Sequence, residues 1–432
     1  MELIDRIDRF KDRQSCFQQV DFFGETKQRF ENYGIELRKS RRLENAKKKR
    51  SIAGAASAKS AEDQNFTLQD LPSLLRKISP NSLSNSTESI NAIAIIASEE
   101  KNISDILKAR VIDTVSNCLQ GVSEINLEFM KSIAYLGFNL AFCAASCDLE
   151  DLKKILEWVN RNKKYEDNTV REDCICTIYQ ISIIGIDGIE IILDNNYNLV
   201  EFIVKTLKSS SEKSVIYAIK IISNFLAISI DMVQDLLDLN ILDEFLPLFE
   251  SQNCKIKYYL YRTLRNVVSG FRGQMEKQID RFLCHQIAYE TIRGLNDKSH
   301  EVKNEAAKMV REMLRSANNN QKLSLIKLGI FLEIPEALDE NNSPNFLLKI
   351  LDISALLLQA GREESETSQE GKNQVAQYFG DTDCLQDLEA LQYAENTKIS
   401  HLAMVIWGEY FGNSEKEEIN FPHAQPIIFE FS

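Results

Sequence analysis

The sequence predicts an all-α chain wound as a solenoid of stacked helices, and three observations carry that reading. Apolar residues recur every three or four positions in INAIAIIA, MKSIAYL, IVKTL and IYAIKIISNFL, which is the period of a helix face. Proline is absent between Pro80 and Pro247, and 16 glycines and 7 prolines in 432 residues are too few for the tight turns of an all-β fold. The third observation is repetition. CICTIYQISIIGIDGIEIILDNN, AIKIISNFLAISIDMVQDLLDLN, LYRTLRNVVSGFRGQMEKQIDRF and AKMVREMLRSANNNQKLSLIKLG each run from an apolar helix through a small-residue break into a second amphipathic stretch. Aligned, they place Gln180, Asn224, Asn266 and Glu312 in register, at steps of 44, 42 and 46, and a further match in LDISALLLQAG adds Leu356 at a step of 44. A period in the low-to-mid forties belongs to armadillo- or HEAT-type repeats. One such unit cannot bury its apolar face alone, so neighbours stack into a right-handed superhelix with an inner groove.

Taken in order, residues 1–50 have sparse apolar anchors (Phe30, Ile35, Leu37) among charges, too few for a core. They read as a flexible basic arm. Residues 51–66 are small and polar and read as a linker. Repeats fill 67–361, the first from about Leu68 to Leu119, with about eight in all. Residues 362–382, REESETSQEGKNQVAQYFGDT, read as an acidic loop that interrupts the array. A last repeat occupies 383–413, and 414–432 form a C-terminal tail.

Charge separates the arm from the body. Glu25 to Lys59 holds 11 Lys/Arg and 4 Glu, a net of +7 in a chain of net −13, which leaves −20 for the rest. The densest stretch, LRKSRRLENAKKKR, has eight basic residues and one acid. A basic arm and an acidic body can attract each other, or the arm can serve a separate acidic partner. The overall charge disfavours nonspecific nucleic-acid binding.

Composition leaves little for catalysis or metals. Four histidines offer scant material for a metal site or a charge relay. The nine cysteines lack finger spacing: Cys174 and Cys176 are too close for a zinc-finger pair, and Cys143/Cys147 have no matching second pair. GxGxxG and GxxxxGK[ST] are both absent. No apolar run reaches bilayer-spanning length, and the N-terminus has no signal-peptide core. The expectation is no enzyme, no metal and no cofactor. Trp158 and Trp407 read as core anchors, and His285 as a packing residue.

Three places carry a resemblance to a known family. KQRFENYGIELRKSRRLENAKKKR has a basic G-I-x-L-R-K core at Gly34, Ile35, Leu37, Arg38 and Lys39 and a following Lys/Arg cluster, with Arg9–Phe10–Lys11 as a short basic lead. The first repeat contains the turn IIASEE, and CLQDLEALQYAENTKISHLAMVIWGEYFG closes the array. Together these resemble importin α, the adaptor that links nuclear-localisation-signal cargo to importin β. The resemblance covers nearly the whole chain, although the chain is shorter than a usual member by roughly two repeats. Phe129–Asn160 reads as the start of an early repeat joined to the end of a later one.

The resemblance implies particular roles. Arg29, Gly34, Ile35, Leu37, Arg38, Lys39, Arg41 and Arg42 would bind importin β. The cluster Lys47, Lys48, Lys49 and Arg50 would lie in the groove like a signal and block it until importin β draws the arm away. In the family, third helices present a Trp and, four residues later, an Asn, which puts both on one face. The Trp rings hold the aliphatic stems of cargo lysines and the Asn amides clamp the cargo backbone. Here Asn224 and Asn266 keep the amide, with Lys220 and Arg262 four residues before. The other pairs are Cys176/Gln180, Lys308/Glu312 and Asp352/Leu356, with Tyr135/Asn139 the best match in the early region. Glu305 matches an acid that faces a cargo lysine. The implied partners are importin β, signal-bearing cargo, and a CAS-type exportin with Ran-GTP at the last repeat. The implied location is cytoplasm and nucleus, shuttling through the pore. The degraded Trp ladder favours a second reading, an armadillo scaffold that keeps importin β but recognises a non-standard partner.

Overall fold

The structure is a computed structural model that describes residues 66–122, 126–194, 196–227, 230–268, 276–367 and 372–412. The expected importin-β-binding residues, Arg29 to Arg42, the cluster Lys47–Arg50, the linker up to residue 65 and the tail from 414 lie outside the described residues. Among the described residues every regular element is helical. The chain divides into two compact units, residues 1–228 and 229–432, each taken by itself below.

The first unit contains α1 (Leu71–Lys77), α2 (Leu83–Ala97), α3 (Ile103–Lys108), α4 (Val111–Gly121), α5 (Leu127–Ala141), α6 (Leu149–Asn162), α7 (Asn168–Ser182), α8 (Ile186–Ile192), α9 (Leu199–Thr206) and α10 (Glu212–Leu226). The 15-residue helices α2, α5, α7 and α10 recur at starts of 83, 127, 168 and 212, and each packs on the next. Being held between two neighbours, they are apolar on more than one face. The helix α5 buries Phe129, Met130, Ile133, Leu136 and Leu140 together. Polar residues start them. Asn126 Oδ1 accepts from the Phe129 N–H at 2.8 Å, Asp167 Oδ1 from Thr169 and Val170, and Ser211 Oγ from Ser214. Each such cap stabilises its helix by about 1 kcal/mol.

The second unit contains α11 (Ile230–Asp238), α12 (Ile241–Phe245), α13 (Cys254–Val268), α14 (Glu276–Leu283), α15 (Gln286–Arg293), α16 (His300–Ser316), α17 (Asn319–Lys327), α18 (Ile330–Leu338), α19 (Pro344–Thr367), α20 (Gln374–Gly380), α21 (Cys384–Leu391) and α22 (Thr397–Tyr410). Here the long third helices are α13, α16, α19 and α22, again packed each on the next. Three helices per repeat, two short and one long, make this an armadillo-type solenoid.

Four of the described corners between first and second helices share one geometry, whereas His285 before α15 is extended and Asp383 before α21 is right-handed. In the four, a residue in the left-handed region sits at the corner: Arg110 (φ 56°), Asn198 (φ 43°), Asn240 (φ 56°) and Gly329 (φ 91°). Glycine and asparagine reach that region at the lowest cost, and Arg110 holds it while its guanidinium pairs with Asp113 at 2.6 Å.

Three expectations are corrected below. At Phe129–Asn160, α5 is a complete third helix, and the steps around it are 44 and 41 residues. The following repeat has a 3-10 turn at Ala144–Ser146 and the single α6 where other repeats have two short helices. Residues 362–382 are not one continuous loop. The helix α19 runs through 362–367 and α20 occupies 374–380. Arg362, Glu363 and Glu364 are good helix formers, so nothing local ends α19 at Gly361. Gly361 instead lets α20 approach, since a Cβ there would stand 2.3 Å from Asn373 Oδ1. The last repeat accordingly begins at Gln374, not at 383. Lastly, Trp158 is a buried anchor whose Nε1 donates to Ser116 Oγ at 2.9 Å, but Trp407 is only half-buried, 6.1 Å from the Phe411 ring.

Candidate third-helix binding faces

The twelfth residue beyond each third-helix start is the ladder position. It falls on Ile95, Asn139, Gln180 and Asn224 in the first unit, and on Asn266, Glu312 and Leu356 in the second. Tyr135/Asn139 is therefore in register with the later pairs.

In the first unit the amides are used inside the protein. Asn139 Nδ2 donates to the Ala94 carbonyl at 2.9 Å, tying α5 to α2, and Asn224 Nδ2 donates to Ser182 Oγ at 2.9 Å, tying α10 to α7. Both side chains are buried, as are Gln180 and Cys176. Ile95 is 48% exposed at the corresponding place on α2, so that rung presents a hydrocarbon. Tyr135 is half-buried on α5. Lys220 rests between two rings, its Nζ 5.5 Å from the Tyr179 centroid and 5.6 Å from that of Tyr217. The aromatic surface that could receive a partner's cation is thus covered by the chain's own ammonium.

In the second unit the third helices bring charges together. Glu305 on α16 is only 5% exposed. Its Oε1 accepts from Lys308 Nζ at 2.5 Å, and its Oε2 stands 3.7 Å from the Arg265 guanidinium of α13. It serves as an internal counter-ion, already matched by two cations. Asp352 on α19 accepts from Arg315 at 2.6 Å and lies 3.8 Å from Arg311 Nε. Lys349, 5% exposed, donates to the Asn345 carbonyl at 2.5 Å and to its Oδ1 at 2.8 Å, and reaches Asn304 Oδ1 at 3.3 Å. Burial lowers the Lys349 ammonium to about 8, helped by Lys308 and Arg311 and opposed by Glu305. Burial also lowers Arg311, with Arg315 the next cause. Asn266, Glu312 and Leu356 are half-buried on the same faces.

The structure therefore brings Glu305, Lys308, Arg311 and Asp352 onto one surface, while Asn139 and Asn224 serve packing. Sequence reasoning missed Arg265, Arg311, Arg315 and Lys349. The signal was present: Lys308, Arg311 and Arg315 lie three and four residues apart, on one helix face. His285 also does more than pack. Its Nδ1 accepts from the Ile287 N–H at the start of α15, and its Nε2 lies 3.0 Å from Asp243 Oδ1.

Among the described residues no group of three His, Cys, Asp or Glu is placed to hold a metal, and no helix is long and apolar enough to cross a membrane. No protein-family model matches the chain, and no curated protein matches it. Solved structures do. An engineered protein matches with a TM-score of 0.55 and 17% identity, over 77% of this chain and 87% of its own. That likeness concerns the fold alone. A computationally designed armadillo repeat protein for modular peptide recognition matches at a TM-score of 0.49 and 19% identity, over 59% of this chain and 99% of its own. A designed armadillo repeat protein in complex with the peptide (KR)4 matches at 0.48 and 20% identity, over 59% of this chain and 99% of its own.

Proposed function

We propose that the chain is a non-catalytic adaptor of the nuclear-import type. Its basic arm binds importin β, and its third-helix faces take an extended segment of a partner other than an ordinary basic signal. The resemblance of Lys27–Arg50 to an importin-β-binding segment supports the first half. A basic helix that folds on an acidic partner offsets its ordering cost with many charge-assisted hydrogen bonds. On the same resemblance, a CAS-type exportin with Ran-GTP would recycle the adaptor through the last repeat, and the chain would shuttle between cytoplasm and nucleus.

One observation supports the second half: the chain's own cations already occupy the groups that, on the resemblance, would receive a cargo lysine. Lys220 lies over Tyr179 and Tyr217, and Lys308 and Arg265 neutralise Glu305. A lysine-rich signal would have to displace these groups or sit beside them, and like charges side by side cost binding energy.

The test is a pair of titrations on the full chain at physiological salt, one with importin β and one with a labelled simple basic signal. Importin β is expected to bind at low micromolar concentration or tighter, and the basic signal far more weakly. Nanomolar affinity for the basic signal would overturn the cargo half, and absence of importin β binding would overturn the arm half.

A further inference from the structure

We infer that the third-helix face of the second unit, where Arg265, Lys308, Arg311, Arg315 and Lys349 gather around Glu305 and Asp352, docks an extended acidic segment of a partner protein. The inference rests on the proposed function and names the chemistry of its partner.

The first argument is charge. Five cationic side chains on three adjacent third helices share Glu305, Asp352 and Glu312, so the surface keeps a positive excess inside a chain whose net charge is −13. The second argument is access. The side chains of Arg311 and Arg315 each keep about a quarter of their surface exposed and that of Lys308 about a third, so a segment lying on this face reaches all three. The third argument is spacing. Stacked helices stand about 8–10 Å apart, and alternate side chains of an extended peptide fall about 7 Å apart, so one carboxylate can meet each helix in turn.

A peptide fits better than a nucleic acid. Glu305, Glu312 and Asp352 are interleaved with the cations, and a phosphate backbone needs a continuous run of positive contacts. A peptide can place its acids opposite the cations and neutral residues opposite the carboxylates.

The experiment measures anisotropy of a labelled peptide of about ten residues alternating Glu and Ser, titrated with the full chain at low and physiological salt. A Lys/Ser peptide and a single-stranded oligouridine serve as competitors. Saturable binding of the acidic peptide, weakened by salt, is expected. The Arg311→Gln, Arg315→Gln double variant should weaken it by about tenfold or more, the equivalent of one charge-assisted hydrogen bond. Circular dichroism checks the fold. If that variant unfolds, Lys308→Gln, at a half-exposed position, decides instead, with several-fold weakening expected. No saturable binding of the acidic peptide, equal affinity in the variants, or tighter binding of oligouridine through the same residues would overturn the inference. An importin β titration on the same preparation separates the two readings. Retained importin β binding with no acidic-peptide binding sinks the inference alone, whereas tighter binding of the Lys/Ser peptide sinks the cargo half of the proposed function with it.

Discussion

Lys349 is held as a cation where burial and two neighbours oppose the charge. Its ammonium lies at about 8 in the folded chain against an ordinary 10.5. From α16 it faces Lys308, Arg311, Glu305 and Asn304, and on its own helix Asn345. Between about pH 8 and 10.5 the unfolded chain binds more protons than the folded one, so the contribution of this group to stability rises with pH across that window. Below it the penalty is fully present. Replacing the side chain by an apolar one of similar length removes that dependence. Urea unfolding of the wild type and Lys349→Met at pH 7.5 and 9.5 should therefore show the wild type gaining about 1 kcal/mol on the variant, after discounting the shift for solvent that reaches the ammonium. A difference that stays the same at both pH values would mean that Lys349 is not strained by its surroundings. Asn139 and Asn224 make the opposite case at this scale. They have the residue type that the resemblance assigns to a ligand clamp, and their amides are bonded to Ala94 and Ser182.

Among the elements, the turn between first and second helices offers a comparison of repeats within one chain. Asn198, Asn240 and Gly329 hold left-handed backbone at equivalent corners. A Cβ in that region costs about 1–2 kcal/mol, and at Gly329 it would also stand 3.3 Å from a Leu332 methyl. Gly329→Ala should lower stability by about that amount, while Asn240→Gly should change it by less than about 1 kcal/mol in either direction. Thermal melts check both, and an unaffected Gly329→Ala would show that this corner relaxes to another conformation. The helices themselves were readable because third helices lie between two neighbours and so must carry apolar residues at helical spacing. Their register was readable from Gln180 onward, whereas before it Tyr135/Asn139 was only the best match, because the step into α7 shortens to 41. The single α6 and the overrun of α19 were not readable. Whether two short helices merge depends on the absence of a corner residue between Asp148 and Asn162, and whether a charged stretch extends a helix depends on what packs beside it. The cationic face escaped for a different reason. Each of its helices reads alone as an ordinary solvated surface, and only stacking brings Arg265 next to Glu305 and Asp352 next to Arg311 and Arg315.

For the whole molecule, the question is what the basic segment Glu25–Lys59, net +7, does to the rest of the chain, net −20. Fold-back of the arm onto the acidic body is the expectation from charge alone, and a 16-residue linker spans roughly 20–25 Å, which keeps the arm's effective concentration near the millimolar range. Yet the cluster Lys47, Lys48, Lys49 and Arg50 and the third-helix face of the second unit have the same sign, so that face is a poor seat for the arm. The arm and an acidic partner segment should therefore not compete there. Over distances beyond about 8 Å, physiological salt screens most of what remains. Deleting residues 1–60, or changing the four-residue cluster to alanine, is expected to alter affinity for the Glu/Ser peptide by less than about threefold at physiological salt. The same deletion should abolish binding of importin β. Anisotropy titrations of the full chain, the deletion and the four-alanine variant decide the matter. A deletion that strengthens acidic-peptide binding by tenfold or more would mean that the arm reaches the face despite its charge and gates it, as it would gate a groove for basic signals. Binding lost with the arm would locate the acidic partner on the arm itself, leaving the third helices of the second unit as a surface whose cations only balance one another.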